Sequence, residues 1–270
     1  MEELTRGSAI APLTVMTSIP TLDLEAARLL VLTGAGVSAE SGLATFRDSN
    51  GLWEQHRVED VASPDGFVRD PRLVWKFYSL RREQAKTVEP NEGHRALAAV
   101  EARLEDRFLL VTQNVDGLHQ RAGSERVIEI HGSLFRTKCS TCDLEPFHDE
   151  ARYLGPALPG CEACEGRGRK ALLRPDIVWF GEMLDPGHLQ AIDSFMRRDP
   201  GAPFVFLAVG TSGAVWPAAG LVDLARSLGA STCLVNAEPA ENTARFHRFV
   251  QGKSAEVLPA LLGVKASSIR

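Results

Sequence analysis

The chain has 270 residues, of which 44% are hydrophobic, and a formal net charge of −5 at neutral pH. This length and composition allow a large buried core and exclude an intrinsically disordered chain. The acidic balance argues against nucleic-acid binding as the main function, because nucleic-acid-binding domains are usually basic. No apolar run approaches the ~20 residues of a membrane span, and the start of the chain lacks the pattern of a secretory signal. We therefore expect a cytoplasmic protein that binds neither membranes nor nucleic acids.

Five short apolar runs have the length and composition of buried parallel strands. They are residues 29–32, 108–111, 127–130, 204–209 and 233–235. Between them, apolar residues recur at helical spacing over residues 91–104 and 218–228. Strand followed by helix, repeated along the chain, predicts an α/β fold with a Rossmann-like, doubly wound parallel sheet.

Two stretches interrupt this alternation. Residues 45–95 contain no convincing strand but include a helical pattern over residues 71–86, and residues 136–172 are rich in Cys, Gly and Pro. We predict that these two insertions together form a smaller domain. The expected larger domain then comprises residues 22–44, 96–135 and 173–264, and residues 1–21 form an N-terminal extension whose order the sequence leaves open.

Polar residues follow each of the predicted strands. The polar clusters begin at Gly34, Gln113, His131, Gly210 and Asn236. Because the carboxyl ends of parallel strands open on one crevice, we expect the five clusters to converge on a single ligand site. Any one of them alone is explained equally well as an ordinary loop, but five together favour a site.

The first cluster has the spacing G-x-G-x-x-A over residues 34–39. Gly34 and Gly36 permit a tight turn and let backbone N–H groups approach a pyrophosphate near a helix N-terminus. A dehydrogenase with this motif needs a second strand ending in an acidic residue about 20 residues further on. Residues 46–60 are too polar for such a strand. The motif therefore predicts a nucleotide site but argues against hydride transfer.

Several blocks, taken in order, resemble the signature of the sirtuins, a family of NAD-dependent protein-lysine deacylases. The blocks are GAGVSAESG at 34–42, FRD at 46–48, TQNVD at 112–116, EIHG at 129–132, PDIVWFGE at 175–182, GTS at 210–212 and NAE at 236–238. The resemblance covers about residues 25–262. It implies that NAD is consumed as a co-substrate: the acyl oxygen of a modified lysine attacks the ribose carbon that bears nicotinamide, nicotinamide leaves, and ribose hydroxyls take over the acyl group.

The resemblance also implies roles for individual residues. His131 matches the family's base, and an imidazole with a near-neutral pKa suits this task, although a histidine satisfied in the core is the alternative. The residues matching NAD contacts are Gly34, Ala35, Gly36, Ser38, Glu40, Phe46, Arg47, Gln113, Asn114, Asp116, Gly210, Thr211, Ser212, Asn236, Glu238 and Ser254. Phe46 matches an aromatic that screens the cationic sugar carbon from water, with ordinary packing as its alternative. Ser254 matches an adenine-contacting position, although the following Ala255 departs from the glycine common there.

Four cysteines have the spacing of a zinc site. Cys139-x-x-Cys142 and Cys161-x-x-Cys164 are separated by eighteen residues. Four thiolates would complete a closed tetrahedral shell, which predicts one structural Zn²⁺. Disulfides are the alternative, but they conflict with the expected cytoplasmic location. Cys233 lies in an apolar run and is expected to be simply buried.

A second group of residues resembles the family's substrate-binding segment. It comprises Val178, Phe180, Gly181 and Glu182. In the family this segment pairs with an extended substrate peptide through its backbone, which explains tolerance of many peptide sequences. An ordinary buried strand is the alternative. The resemblance thus implies acyl-lysine proteins or peptides as partners.

The predicted helix over residues 71–86 carries the candidate acyl-binding residues. Its expected apolar stripe is Leu73, Phe77 and Leu80. Tyr78 and Arg81 lie three apart on a neighbouring face, and a phenol with a guanidinium can bind a carboxylate. The pattern alone favours a different interpretation, in which they are a snorkelling aromatic and a solvated base. Together with Ala62 they match the sirtuin branch that prefers succinyl- and malonyl-lysine, with acetyl-lysine as a lesser substrate.

Other functions remain open from the sequence. The chain could be mainly a deacetylase, an enzyme that transfers ADP-ribose to proteins, or an inactive NAD-sensing or zinc-ribbon interaction module. The sequence leaves the target proteins, the preferred acyl chain and the oligomeric state undetermined.

Overall fold

The computed structural model describes residues 13–16, 19–43, 52–53 and 56–264. The strands are β1 (Thr14–Met16), β2 (Arg28–Thr33), β3 (Leu52–Trp53), β4 (His56–Arg57), β5 (Phe108–Thr112), β6 (Val127–Glu129), β7 (Gly132–Cys139), β8 (Phe147–His148), β9 (Leu173–Ile177), β10 (Phe204–Val209), β11 (Ser231–Asn236) and β12 (Arg248–Gln251). The helices are α1 (Ala35–Ala39), α2 (Val58–Val61), α3 (Pro64–Arg69), α4 (Pro71–Thr87), α5 (Glu92–Leu104), α6 (Leu118–Arg121), α7 (Glu162–Glu165), α8 (Pro186–Arg197), α9 (Leu221–Ser227) and α10 (Ser254–Leu261). Within these ranges, no helix is both long enough and apolar enough to cross a membrane.

The larger sheet of the described chain has seven strands in the order β1-β12-β11-β10-β2-β5-β6. Every neighbouring pair in it is parallel. The five predicted strands form its centre and one edge, which confirms the expected Rossmann-like doubly wound fold. The prediction missed β1 and β12, because strands of three and four residues are too short to show a period.

Helices cover both faces of this sheet. On one face α5 and α10 bury residues including Leu97, Val100, Leu258 and Leu261. On the other face α8 and α9 bury Ile192, Met196, Val222 and Ala225. The helix predicted over residues 91–104 is confirmed as α5, and the pattern over residues 218–228 is a 3₁₀ turn at Ala218–Gly220 followed by α9.

The two insertions share a second hydrophobic core. Residues of α2–α4, including Val61, Phe67 and Trp75, pack with Cys139, Cys161 and Cys164 from the cysteine-rich insertion. A three-stranded antiparallel sheet with the order β8-β7-β9 borders this core. In this sheet Gly132 and Ser133 pair with Ile177 and Asp176, and residues 137–139 pair with residues 173–175. The ladder between β7 and β9 is interrupted by a register shift between Ser133 and Thr137.

Two local expectations within the helical insertion are wrong. The first is the absence of strands, since β3 and β4 form a short antiparallel pair. The second is the apolar stripe of α4, because Leu80 is 50% exposed whereas Tyr78 is fully buried. The helix turns its Tyr78 side to the core because the indole Nε1 of Trp179 donates a hydrogen bond to the phenol oxygen there. A tertiary contact has thus decided which face is buried.

Candidate functional site

The strand register brings the predicted polar clusters to one edge of the parallel sheet. Thr33, the last residue of β2, pairs with Thr112 of β5 on one side and with Val209 of β10 on the other. Thr112 pairs in turn with Glu129 of β6. The residues that follow these strand ends, among them Gly34 and Gln113, therefore lie side by side. This is the convergence that the sequence predicts.

The glycines of the first turn allow two loop backbones to approach closely. A Cβ atom added at Gly36 would lie 2.8 Å from the Cα atom and the carbonyl oxygen of Gly210. Gly210 has φ of +60°, and its carbonyl accepts a hydrogen bond of 2.8 Å from the Gly36 N–H. The sequence predicts that these glycines admit a pyrophosphate to the backbone; in the structure they also admit the neighbouring loop. Any larger residue would push the two loops apart.

A buried network joins the first turn to the loop after β5. Asn114 Nδ2 donates to the Gly34 carbonyl at 3.1 Å and to Ser38 Oγ at 3.0 Å. Ser38 Oγ donates to Asp116 Oδ2 at 2.7 Å. Burial raises the pKa of Asp116, while hydrogen bonds from Ser38 and the Leu118 N–H oppose that rise. The network fixes three predicted NAD-binding side chains relative to the glycine turn.

His131 follows β6 and lies between two parts of the site. Its Nδ1 atom is 3.1 Å from the carbonyl oxygen of Gln113, and its own carbonyl accepts a hydrogen bond of 2.9 Å from the Val178 N–H. Because a carbonyl only accepts, Nδ1 carries the hydrogen and Nε2 carries the lone pair. Burial lowers the pKa of His131, and the contact with Gln113 partly offsets this. The ring is therefore a neutral base with a defined accepting nitrogen.

The loops after β10 and β11 close the same cluster. Gln113 Nε2 donates to Thr211 Oγ1 at 3.0 Å, and Asn236 Nδ2 donates to the Thr211 carbonyl at 2.7 Å. Ser212 Oγ accepts a hydrogen bond of 3.2 Å from the Ala214 N–H, whereas Glu238 is exposed. The loops after β10 and β11 thus offer hydroxyl, amide and backbone groups close to exposed residues. Such groups suit a ligand that presents hydroxyls and phosphates.

Glu40 caps the helix that begins at Ser254. One carboxylate oxygen of Glu40 accepts hydrogen bonds from the N–H and the hydroxyl of Ser254, and the other accepts one of 3.0 Å from the Ala255 N–H. Both residues are predicted NAD contacts. In the structure they contact each other, and the carboxylate complements the positive end of α10. Phe46 and Arg47, also predicted NAD contacts, lie outside the described residues.

The four predicted metal ligands form one compact cluster. The sulfur atoms of Cys139, Cys142, Cys161 and Cys164 all lie within 4.8 Å of one another. The pairs Cys139–Cys164 and Cys142–Cys161 are 3.8 and 3.7 Å apart. A tetrahedron with Zn–S bonds of about 2.3 Å has edges of about 3.8 Å. The thiols are free rather than disulfide-bonded, so this set fits a structural zinc with no open position.

The predicted substrate-binding residues come together from three parts of the chain. The Phe180 N–H donates to the Ala62 carbonyl at 3.0 Å, and Trp179 Nε1 donates to Tyr78 Oη at 3.0 Å. The segment 178–182 follows β9 as a turn, in which Gly181 has φ of +89°. It is therefore not a buried strand. Phe180 is 55% exposed, which leaves this turn at the surface.

Arg81 and Glu182 are held differently. Arg81 is only 8% exposed, its Nη1 donates to Gln84 Oε1 at 3.3 Å, and its charge acts on both Tyr78 and Asp116. Glu182 instead binds Arg174 through both carboxylate oxygens and accepts a hydrogen bond from the Trp179 N–H. Glu182 thus stabilises the turn, whereas Arg81 places a cation between the candidate acyl and nucleotide residues.

Several residues of the site were missed from the sequence. Thr33 and Thr112 bind each other through their hydroxyls at 2.8 Å, and Trp179 connects the substrate turn to α4. Trp179 lies inside the signature block at 175–182. For Thr33 and Thr112, the available signal in the sequence was a threonine at the end of both β2 and β5. Their partners are remote in sequence, so spacing gave no indication of the contacts.

The sequence profile of the Sir2 family matches residues 34–217. The chain belongs to the Sir2 family. The match begins at the glycine turn and includes the histidine, the four cysteines and the substrate turn. The resemblance to the sirtuins, and with it the predicted fold, is confirmed.

Three known proteins illustrate the similarity of this Sir2-family chain. An NAD-dependent protein deacylase of Escherichia coli K12 is 45% identical over 255 residues, which span 91% of this chain and 86% of the relative. A mutant of a Sir2 homologue in complex with 2′-O-acetyl ADP ribose has a TM-score of 0.78 and 41% identity, covering 90% of this chain and 94% of its own. A Sir2 mutant with p53 peptide and NAD has a TM-score of 0.73 and 28% identity, covering 88% and 93%.

Proposed function

We propose that this chain is an NAD-dependent protein-lysine deacylase that removes succinyl and malonyl groups in preference to acetyl, giving nicotinamide and O-acyl-ADP-ribose. Membership of the Sir2 family and the relatives named as NAD-dependent protein deacylases support the general reaction. The preference for acidic acyl groups is our inference from the residues of α4.

One observation carries the catalytic part of the proposal. His131 is hydrogen-bonded through its ring to Gln113, in the nucleotide cluster, and through its backbone to Val178, at the substrate turn. A base in this position adjoins both reactants. In the proposed reaction NAD supplies the ribose that receives the acyl group, with nicotinamide as the leaving group. Nε2 of His131 accepts the proton of a ribose hydroxyl as that hydroxyl becomes the nucleophile.

The nucleotide cluster offers groups of the right chemistry for NAD. Asn114, Ser38 and Asp116 present amide, hydroxyl and carboxylate groups that are already oriented by their mutual hydrogen bonds. Such preorganised polar groups suit ribose hydroxyls and a carboxamide and lose little conformational freedom on binding. The close backbones of Gly36 and Gly210 leave no side chain where a pyrophosphate would approach.

The acyl preference follows from buried charge. The guanidinium of Arg81 has little solvent contact, and its Nη1 donates a hydrogen bond of 3.3 Å to Gln84 Oε1. Its guanidinium acts on Tyr78, and burial raises the pKa of that phenol, which stays protonated and can donate. A dicarboxylic acyl chain would bring a carboxylate to this pair, whereas acetyl would not. Ala62, whose carbonyl accepts a hydrogen bond from the Phe180 N–H, has a small side chain and is the position that we propose admits a longer acyl chain.

The deciding experiment uses one peptide that carries either acetyl- or succinyl-lysine. We expect release of nicotinamide and formation of O-acyl-ADP-ribose by mass spectrometry with both, and a higher kcat/KM with succinyl. Binding of NAD without nicotinamide release would instead identify a sensing module. ADP-ribose attached to protein, with no acyl-ADP-ribose, would identify the transferase alternative. A higher kcat/KM with acetyl would identify a deacetylase.

Location and partners complete the proposal. All five cysteines are free thiols in the described chain, and four of them suit a zinc ion, which agrees with a reducing compartment such as the cytoplasm. Acyl-lysine proteins or peptides are the proposed substrates, in line with the Sir2 relative that binds p53 peptide.

A further inference from the structure

Two histidines that the sequence analysis did not select lie buried beside the nucleotide cluster. His94 in the first turn of α5 has no exposed area, and His119 in α6 is 1% exposed. Their ring centroids are 4.8 Å apart, with an angle of 55° between the planes. Neither residue is needed for the reaction proposed above. Their hydrogen-bond partners, however, lead directly to that site.

The contacts of His119 fix its protonation. Burial, reinforced by His94, lowers the pKa of His119 well below its ordinary value, so the ring is neutral. Its Nε2 lies 2.9 Å from Thr33 Oγ1, whose own hydrogen is donated to Thr112 Oγ1 at 2.8 Å. Nε2 must therefore be the donor, and Nδ1 carries a lone pair. Nδ1 is buried and accepts no hydrogen bond from the described residues.

The contacts of His94 leave its unpaired nitrogen as a donor, whereas the unpaired nitrogen of His119 is an acceptor. Burial lowers the pKa of His94 to about 4, so this ring is also neutral. Its Nδ1 accepts a hydrogen bond of 3.3 Å from the Asn91 N–H as part of a capping box. Nε2 must therefore carry the hydrogen. Nε2 is buried and donates to no group in the described part of the chain.

The two adjacent rings thus carry one buried donor and one buried acceptor, each without a partner among the described residues. An unpaired buried polar group is costly, and such groups in folded proteins are nearly always paired with protein or with ordered water. An ordered water needs at least two polar partners, and this pair supplies a donor and an acceptor. The chemistry of the two free nitrogens is complementary.

The pair connects two loops of the nucleotide cluster. At the His94 end, Asn91 Nδ2 donates to the Val37 carbonyl at 2.8 Å and to Ser41 Oγ at 3.0 Å, which holds the end of α1. At the His119 end, Thr112 Oγ1 accepts a hydrogen bond of 3.1 Å from the Asn114 N–H. A continuous relay through both histidines would tie the helix that carries Ser38 to the loop that carries Asn114.

We propose that His94 and His119 are positioning residues of the NAD site. One ordered water accepts a hydrogen bond from His94 Nε2–H and donates one to His119 Nδ1, and the completed relay fixes the relative positions of Ser38 and Asn114. This inference rests on the proposed function in one respect, namely that these loops bind NAD. Neither histidine touches the nucleotide itself.

The first test is the tautomeric state of both rings in the unmodified protein. Nitrogen-15 NMR at neutral pH should show His94 and His119 as neutral rings protonated at Nε2. A charged ring, or an Nδ1–H tautomer in either histidine, would overturn the relay. This measurement does not depend on enzymatic activity or on the folding of any variant.

The second test removes the relay while keeping each outer hydrogen bond. His94→Asn retains an acceptor for the Asn91 N–H but lacks Nε2–H, and His119→Gln retains a donor to Thr33 but lacks the Nδ1 acceptor. Each should raise KM for NAD roughly five- to tenfold, because a buried group loses its partner. The kcat and the KM for peptide should stay nearly unchanged. The double variant should be no worse than the more affected single variant, since one interaction is removed in all three.

His148→Asn and His148→Gln are the matched controls, because the His148 side chain is 71% exposed. They should leave KM for NAD unchanged. A lowered melting temperature with unchanged KM for NAD, or fully additive effects in the double variant, would contradict a positioning role. If the unmodified protein bound NAD but turned over no acyl-peptide, the deacylase proposal would fail, while NAD affinity by calorimetry would still test the relay.

Discussion

The Nδ1 atom of His131 lies 3.1 Å from the backbone carbonyl oxygen of Gln113, so the accepting nitrogen of the ring is Nε2. A backbone partner cannot be titrated or replaced by a side-chain substitution. The orientation of the His131 ring is therefore set by the backbone that follows β5.

The pH dependence of catalysis follows from the burial of His131. A general base works only in its neutral form, and burial lowers the pKa of His131 below the ordinary value of 6.5. Activity should therefore fall on acidification, as pH drops through a pKa that lies below 6.5. The measurement is kcat/KM for NAD as a function of pH, with the peptide at saturating concentration. An acidic fall in activity with an apparent pKa of 6.5 or above would contradict the assignment of His131 as the general base.

Removal of the imidazole gives a second check of the same residue. His131→Ala should lower kcat by about 10²- to 10⁴-fold, the usual contribution of a positioned acid–base group. NAD binding by calorimetry should be retained, since the network of Asn114, Ser38 and Asp116 does not include this ring. Loss of NAD binding with unchanged turnover at saturation would instead indicate a binding role.

The acyl preference depends on the guanidinium of Arg81. Arg81→Met should lower kcat/KM for a succinyl-lysine peptide roughly ten- to a hundredfold, which corresponds to loss of about 1.5 to 3 kcal/mol of charge-assisted hydrogen bonding. The acetyl-lysine peptide should be affected far less. Arg72→Met, an exposed arginine on the same helix, is the control. Equal losses for both acyl groups would show that Arg81 only supports the fold.

The close approach of two loops predicts intolerance of a methyl group at Gly36. Gly36→Ala places Cβ 2.8 Å from Gly210 backbone atoms, so one loop must move and the NAD-binding groups move with it. We expect a strong rise in KM for NAD and a lower melting temperature. Gly155→Ala is the control, because its Cβ would meet no atom within 4 Å. Similar behaviour of the two variants would rule out the steric argument.

The cysteine cluster predicts one zinc per chain. Cys164→Ala should abolish zinc in atomic emission and destabilise the smaller core, because a structural zinc contributes on the order of 10 kcal/mol to small sites. Trp75 and Tyr78 belong to that core, so activity should fall as well. Cys233→Ala should retain the zinc, since Cys233 lies in the core of the parallel sheet. Native protein that contains no zinc would contradict the predicted zinc site.

The amino-acid sequence by itself determined the central strands, the main helices, the family and the four metal ligands. These features depend on local patterns: apolar runs, helical spacing, and cysteine pairs whose separation is characteristic. The signature blocks added the candidate catalytic histidine and the nucleotide cluster, because the polar clusters follow strand ends and the ends of parallel strands share one edge.

Only the tertiary structure decided which of the site residues contact each other. Glu40 and Ser254, both predicted NAD contacts, bind each other at the N-terminus of α10, and Glu182 binds Arg174. The buried face of α4 and the pairing of His94 with His119 were likewise invisible in the sequence. The physical reason is the same in each case: a contact between residues distant along the chain leaves no periodicity in the sequence, whereas burial of a helix or strand against the sheet does.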